Sequence, residues 1–106
     1  MRKEIRLMLD YQCYPIWIYD EEGNFLDNDL VNEIQENENL LNMLEKLQNK
    51  FDALYLNNEV EFKYIGFESE DDKKKFIDMV QETYKSLCSV LGKKYIVQNK
   101  IDIHNI

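Results

Sequence analysis

Cysteine and histidine are scarce in this sequence, which has two cysteines and one histidine in 106 residues. Cys13 and Cys88 form no CxxC pair and have no neighbouring histidine. The composition therefore excludes a disulfide framework and a zinc site with the usual ligand spacing. We expect both thiols to be reduced, with Cys88 as a small core residue.

The shortage of histidine also limits the catalytic chemistry open to the chain. A hydrolytic triad needs a base held beside its nucleophile, and the single histidine, His104, is two residues from the end of the sequence. The segment 20–24 resembles a calcium loop superficially, but its glycine comes at the fourth place instead of the sixth. No glycine-rich phosphate motif is present. We therefore predict a protein that is not an enzyme, with no catalytic residue, no metal and no cofactor.

Long apolar stretches are missing as well. No part of the sequence approaches the ~18 consecutive apolar residues of a membrane span. The N-terminal residues lack the apolar run of a signal peptide. We expect a cytoplasmic protein with no membrane partner.

Positive charge is absent from one long stretch of the chain. The net charge is −8, and from Asp10 to Glu45 there are ten acidic residues and no lysine or arginine. Such a stretch repels nucleic acid, whose binders need clustered positive charge. It attracts a basic protein surface and speeds the encounter with it. The alternative is a solvated face that only keeps the protein soluble.

The segment 13–29 has the pattern of a β-hairpin. Pro15 suits the first residue of a strand, because its missing N–H is not yet needed for pairing. Gly23 can adopt the positive φ of the reversal. Because side chains alternate across a strand, Trp17 and Tyr19 share one face, and the two isoleucines beside them share the other.

Two long helices and one short one follow from apolar spacing and caps. Leucine and phenylalanine recur at spacings of three and four and predict a helix over 40–52. Ser69 begins a capping box and predicts a helix from about Glu70, with Gly92 as its stop. A short helical segment is predicted over 30–36, with Asn28 and Asp29 as its N-cap candidates.

Other segments show the period of strands. These strands are predicted at 5–9, where an opening helical turn is the alternative, at 53–56 and 59–64 on either side of a turn at Asn57 and Asn58, and at 95–103. The order of elements predicts an α+β fold, with an antiparallel, hairpin-rich sheet of about four to five strands and two main helices packed on one face. A chain of this length is expected to form a single domain, 1–106.

Three aromatic residues lie inside the stretch that has no positive charge. Tyr14, Trp17 and Tyr19 are of the types enriched at interface hot spots, so they are candidate anchors for a partner. The alternative places them in the core beneath the sheet, and this alternative is favoured for Trp17.

Four segments of the chain form a recognisable combination: Tyr14-Pro15-Ile16-Trp17-Ile18-Tyr19-Asp20, the turn at Gly23, Phe25-Leu26-Asp27-Asn28-Asp29, and Tyr64-Ile65-Gly66-Phe67 before a helix with an acidic cap. Together they resemble small acidic immunity proteins of bacterial polymorphic-toxin and contact-dependent inhibition systems. The resemblance covers most of the chain. It implies a protein that binds one cognate toxin domain, often a nuclease, and blocks its active site or substrate surface.

On this hypothesis the partner is a basic toxin domain. The sequence leaves the oligomeric state of the immunity protein itself open, and a monomer is favoured over an oligomer. The candidate partner-binding residues are three aromatic anchors and seven acids that steer the encounter and form ion pairs: Tyr14, Trp17, Tyr19, Asp20, Glu21, Glu22, Asp27, Asp29, Glu33 and Glu36. Two alternatives remain open. One is a non-enzymatic regulatory or adaptor protein that binds a host protein, and the other is an acidic mimic of nucleic acid.

Overall fold

The computed structural model describes residues 2–29, 31–57 and 60–102 and confirms the α+β class. In chain order the described elements are β1 (Glu4–Leu7), β2 (Ile16–Tyr19), β3 (Phe25–Asp27), α1 (Asn32–Gln35), α2 (Glu38–Asp52), β4 (Tyr55–Asn57), β5 (Phe62–Tyr64), α3 (Glu70–Leu91) and β6 (Ile96–Asn99). The predicted residues Leu30, Asn58, Glu59, Ile103 and His104 lie outside the described ranges.

The main sheet has four strands in the order β3-β2-β1-β6. β1 pairs antiparallel with β2, and β2 pairs antiparallel with β3, as expected of a hairpin-rich sheet. One pair departs from the antiparallel pattern, because β6 runs parallel to β1 and the chain between them includes both main helices. The direction in which the chain re-enters the sheet depends on how α3 packs, and alternation within a strand does not encode it.

The core lies between this sheet and the two main helices. Ile5 and Leu7 of β1 and Ile16 of β2 are fully buried and pack with the apolar stripes of α2 and α3. These stripes confirm the helical periodicity of the sequence. The buried members are Leu40, Leu44, Leu47 and Phe51 on α2, and Phe76, Val80, Thr83, Leu87 and Leu91 on α3. Cys88 was expected in the core, but it is half-buried, whereas Thr83, five residues earlier, is fully buried.

The two main helices begin with side-chain caps. The Ser69 hydroxyl accepts a hydrogen bond from the Asp72 N–H at 3.1 Å, which confirms the predicted cap. α2 begins two residues earlier than expected, because Asn37 accepts from the Leu40 N–H at 3.0 Å. A short polar side chain at the cap satisfies a backbone donor that has no partner within the helix.

Asn28 has a different role from the predicted cap. The N-cap of α1 is Val31, which makes no side-chain cap hydrogen bond. The Asn28 Nδ2 group instead donates to the carbonyl oxygens of Tyr14 and Ile16, both at 2.7 Å. This side chain therefore ties the end of β3 to the start of β2, next to the irregular pairing between these strands.

The predicted turn between β2 and β3 is confirmed and is organised by one carboxylate. Asp20 Oδ1 accepts from the backbone N–H groups of Glu22 at 2.9 Å and Asn24 at 2.8 Å. Gly23 has a φ of +85°, which a residue without a Cβ adopts at no steric cost. The hydrogen bond from the Asn24 backbone is the largest cause that lowers the pKa of Asp20. These hydrogen bonds and the positive φ of Gly23 show that the segment 20–24 forms the turn between β2 and β3.

The predicted second hairpin is also present, but it does not join the main sheet. β4 and β5 pair antiparallel as a separate two-stranded sheet. Ring contacts attach this hairpin to the body: the Tyr55 ring centroid lies 5.5 Å from that of Phe51 and 5.2 Å from that of Tyr11. A two-stranded sheet has little stability alone, so these aromatic contacts are what hold it.

The Asp20 turn gives a prediction about pH. Asp20→Ala should lower the free energy of unfolding at neutral pH, because three hydrogen bonds to the carboxylate are lost. The pKa of Asp20 is lowered on folding, so its stabilisation is complete above the ordinary value of 3.8. The stabilisation disappears as the pH falls through the lowered folded pKa.

Urea denaturation of the wild type and of Asp20→Ala from pH 7 to pH 2 measures this difference. Glu21→Ala is the matched control, since Glu21 is an exposed acid in the same turn. A difference between wild type and Asp20→Ala that stays constant down to pH 2 would contradict the role given to the carboxylate.

Candidate partner-binding site

The face of the main sheet that points away from the helices is the candidate site. Alternation places the core residues Ile5, Leu7 and Ile16 on the helix side. The strand pairings therefore place a second set of residues together on the opposite side, which we call the outer sheet face. Its members are Glu4, Arg6, Trp17, Tyr19, Phe25, Ile96 and Gln98.

Three rings form a cluster on the outer sheet face. The Phe25 centroid lies 5.8 Å from that of Trp17 and 5.7 Å from that of Tyr19, and the second pair meets edge to face. Phe25 is 53% exposed. Ile96, on the same face but in the edge strand β6 at the opposite edge of the sheet, is 44% exposed. Exposed aromatic side chains that are already ordered by their neighbours suit a protein partner.

Trp17 belongs to this surface and not to the core, so the alternative favoured from sequence is wrong. Its ring is half-buried, and its Nε1–H donates to the Met8 carbonyl oxygen at 3.3 Å. Ile16 and Ile18 take the core side of the same strand. The alternation predicted for β2 is thus confirmed, and only the choice between its two faces was wrong.

Arg6 lies at the centre of the outer sheet face. Its Nη2 group is 3.1 Å from Glu4 Oε2, and its Cζ atom is 3.8 Å from the centre of the Tyr19 ring. The hydrogen bond with Glu4 raises the pKa of the guanidinium above its ordinary value. A cation over an aromatic ring is attracted by the electrons of the ring face, so Arg6 and Tyr19 hold each other in place.

The acidic turn continues directly from this face. Asp20, Glu21 and Glu22 follow Tyr19 at the end of β2, and Glu21 and Glu22 are exposed. Asp27 and Asp29 are exposed at the far end of β3, on either side of Asn28. The structure therefore places acids at both ends of the β2–β3 hairpin, while the aromatic cluster lies between them.

Tyr14, although predicted with Trp17 and Tyr19, lies on the other side of the sheet. It is 42% exposed and borders a pocket of about 300 Å³ whose other walls include Glu45, Gln48 and Asp52. These three residues belong to α2, which packs on the helix side of the sheet. Tyr14 and the aromatic cluster therefore face in different directions.

Glu33 forms an intramolecular ion pair with Lys94 at the protein surface. Its Oε1 atom accepts from Lys94 Nζ at 2.9 Å, which links α1 to the loop before β6. The hydrogen bond with Lys94 lowers the pKa of Glu33, and the same contact raises the pKa of Lys94. Glu36 is exposed just after α1. Both acids lie on the helix side.

The β4–β5 hairpin presents a second exposed apolar surface. Phe62 is 55% exposed, Tyr64 45% and Ile65 54%. A cleft of about 380 Å³ opens beside it, lined in part by Phe51 and Tyr55. Lys63 pairs with Glu61 at 3.7 Å, so these two charges on the hairpin balance each other.

Within residues 2–29, 31–57 and 60–102, no group of three or more histidine, cysteine or acidic side chains is placed to hold a metal ion. Among the helices of the same residues, none is long and apolar enough to cross a membrane. His104 lies outside the described part of the chain.

Sequence reasoning named two of the seven residues of the outer sheet face, Trp17 and Tyr19, and missed the other five. Phe25 and Arg6 are the most important of the missed residues. Phe25 was predicted as the start of the return strand, but its pairing with Tyr19 depends on an irregular register that the sequence does not specify. Arg6 alternates with Ile5 and Leu7, and this signal could have placed it opposite the core. Only the position of β1 between β2 and β6, however, makes Arg6 central.

Comparison with known proteins adds one finding to this geometry. No curated protein gives a significant match to the chain. A family model described as Serratia CdiI immunity protein-like matches residues 3–100. The match runs from before β1 to just after β6, so it includes every strand of the outer sheet face. The chain therefore belongs to the Serratia CdiI immunity protein-like family.

Proposed function

We propose that this protein neutralises one cognate toxin domain by binding it through the outer sheet face and the acidic turn beside it. The bound protein covers the active site or the substrate surface of the toxin. The observation that carries the proposal is the exposed cluster of Trp17, Tyr19 and Phe25, which continues into the turn that begins at Asp20. Membership of an immunity family supports the neutralising role.

The charge of the protein favours a basic partner, and a nuclease above all. The chain carries a net charge of −8, and Glu21 and Glu22 form no ion pair among the described residues. A nuclease must itself bind phosphates, so its substrate surface is positively charged. The acids then steer the encounter, while the rings lose water in the complex and hold it together. The protein acts without catalysis, as a cytoplasmic monomer.

The predicted residues contribute unequally in this proposal. A stable interface buries about 800 Å² on each partner and commonly includes a few residues that carry most of the binding energy. Trp17 and Tyr19 are the anchors, and Glu21 and Glu22 form the nearest rim. Asp20 contributes by holding the turn that presents these two acids. The remaining acids lie at the far end of β3 or on the helix side, and they contribute mainly long-range attraction: Asp27, Asp29, Glu33 and Glu36. Tyr14 is uncharged and lies on the helix side, outside the proposed interface.

Co-expression with the toxin domain encoded immediately upstream tests the proposed function. We expect this protein to restore growth of a host that the toxin domain alone kills, and to co-purify with the domain as a complex of one copy each. A harmless neighbouring domain, or killing in the presence of this protein, would remove the neutralising role.

Reversing the charge of the acidic turn should slow binding. Glu21→Lys combined with Glu22→Lys is expected to reduce the association rate constant at low salt by about tenfold and to weaken its salt dependence. Asp78→Lys with Glu82→Lys makes the same change in net charge on the exposed side of α3 and is the control. Stopped-flow mixing at two salt concentrations measures both variants. Equal slowing by the two pairs would mean that net charge acts and the turn does not.

Substitution of two phenylalanines distinguishes the two exposed apolar surfaces as sites of toxin binding. Phe25 on the outer sheet face and Phe62 on the β4–β5 hairpin are exposed to nearly the same extent, 53% and 55%. Phe25→Ala should weaken toxin binding about 30-fold, the size of a hot-spot effect. Phe62→Ala should leave the dissociation constant near that of the wild type. Calorimetric titration measures both, and the reverse result would assign the interface to the hairpin.

A further inference from the structure

Arg6 differs from every other residue of the outer sheet face in its charge. Its register partners are Trp17 in β2 and Gln98 in β6, so it lies in the middle of the sheet. Of the described residues that the strand pairings place on this face, Arg6 alone carries a positive charge. A protein surface that attracted a basic partner by negative charge alone would not need a cation at its centre.

The guanidinium group is held in a fixed position. Glu4 Oε2 accepts from Nη2 at 3.1 Å, and the Tyr19 ring lies 3.8 Å from Cζ. The side chain retains 28% of its accessibility. Because the long side chain is already ordered, a partner that binds it causes little further loss of conformational freedom.

Arg6 also has hydrogen-bonding capacity left over. A guanidinium has five N–H donors, and Glu4 accepts from one of its terminal nitrogens. The Nε–H is buried, so a carboxylate of a partner can reach only the N–H groups of the two terminal nitrogens. A carboxylate offers two acceptor oxygens side by side, which match the fork of the guanidinium group.

We infer that Arg6 binds a carboxylate of the toxin at the centre of the interface. This inference rests on the proposed function and refines it. The toxin surface that fits the outer sheet face then carries one acidic side chain among basic ones. The acids of the turn meet the basic side chains, and Arg6 meets the acidic one. Such a pattern fixes the orientation of the two proteins and excludes uniformly basic surfaces.

Four variants in complex with the purified toxin domain test the inference. Arg6→Gln removes the charge, and Arg6→Lys keeps the charge but loses the fork. Glu4→Gln removes the carboxylate that competes for Arg6. Arg2→Gln is the matched control, because Arg2 is exposed and its Nη1 donates to the Gly92 carbonyl oxygen. Rate constants come from stopped-flow mixing, and the melting temperature of each free variant reports on folding.

Arg6→Gln should raise the dissociation rate constant about 30-fold or more, as expected when one partner of a desolvated charge pair is removed. Its association rate constant should change little. Arg6→Lys should lose most of the same affinity, and Glu4→Gln should bind at least as tightly as the wild type. This separates Arg6 from the turn acids, which act on association.

The inference is overturned if Arg6→Gln and Arg6→Lys dissociate at the wild-type rate while keeping the wild-type melting temperature. It is also overturned if Glu4→Gln weakens binding as much as Arg6→Gln does. That result would mean that the Glu4–Arg6 ion pair only holds the Tyr19 ring in position and that Arg6 does not contact the toxin. If Arg6→Gln does not fold, Arg6→Lys and Glu4→Gln decide the matter. A wild-type protein that fails to bind the toxin at all would instead remove the proposed function, before any variant is compared.

Discussion

The alternation of side chains along β1 is the constraint on which both sides of this molecule depend. Ile5 and Leu7 are fully buried against the helices, while Glu4 and Arg6 point to the other side. β1 lies between β2 and β6, so its register aligns the strands on either side of it. A slip of one residue would exchange the two faces and place charged groups in the core. The burial of Ile5 and Leu7 in the core therefore also determines which side chains lie on the outer sheet face.

The acidic residues of the chain divide into groups with different physical roles. Asp20 holds a turn through hydrogen bonds to backbone N–H groups, and Glu33 joins α1 to the loop before β6 through Lys94. Glu4 orders a cation on the sheet. Glu21 and Glu22 are exposed beside the aromatic cluster. The net charge does not distinguish these roles. The contacts of each acid do, because they show which acids stabilise the fold and which are available to a partner.

Much of the fold could be predicted from the sequence, because local patterns determine local structure. The helical stripes, the Ser69 cap, the Gly23 turn and both hairpins were predicted in this way and are confirmed. The parallel pairing of β6 and the separation of the second hairpin were not, since they depend on contacts between distant segments. The family resemblance is confirmed by the match over residues 3–100.

The candidate site was less predictable for a related reason. Alternation showed that Trp17 and Tyr19 share a face, but which face meets the helices depends on how the whole sheet packs. Phe25 joins them through an irregular register, and Tyr14 is directed to the α2 side. Asn28 is of a residue type that often caps helices, yet its side chain donates hydrogen bonds to the carbonyl oxygens of Tyr14 and Ile16. The assignment of the ten predicted residues to partner binding stays a prediction.

The parallel pair of β1 and β6 has a consequence for folding kinetics. Glu4 pairs with Ile96, so forming this pair closes a loop that contains nearly all of the elements of the chain. Closing so long a loop costs entropy before any contact compensates for it, and folds with distant contacts form slowly. The β2–β3 hairpin is local and can form early. We therefore expect the aromatic half of the outer sheet face to form before the half beside β6, so that newly made protein completes this surface late in folding.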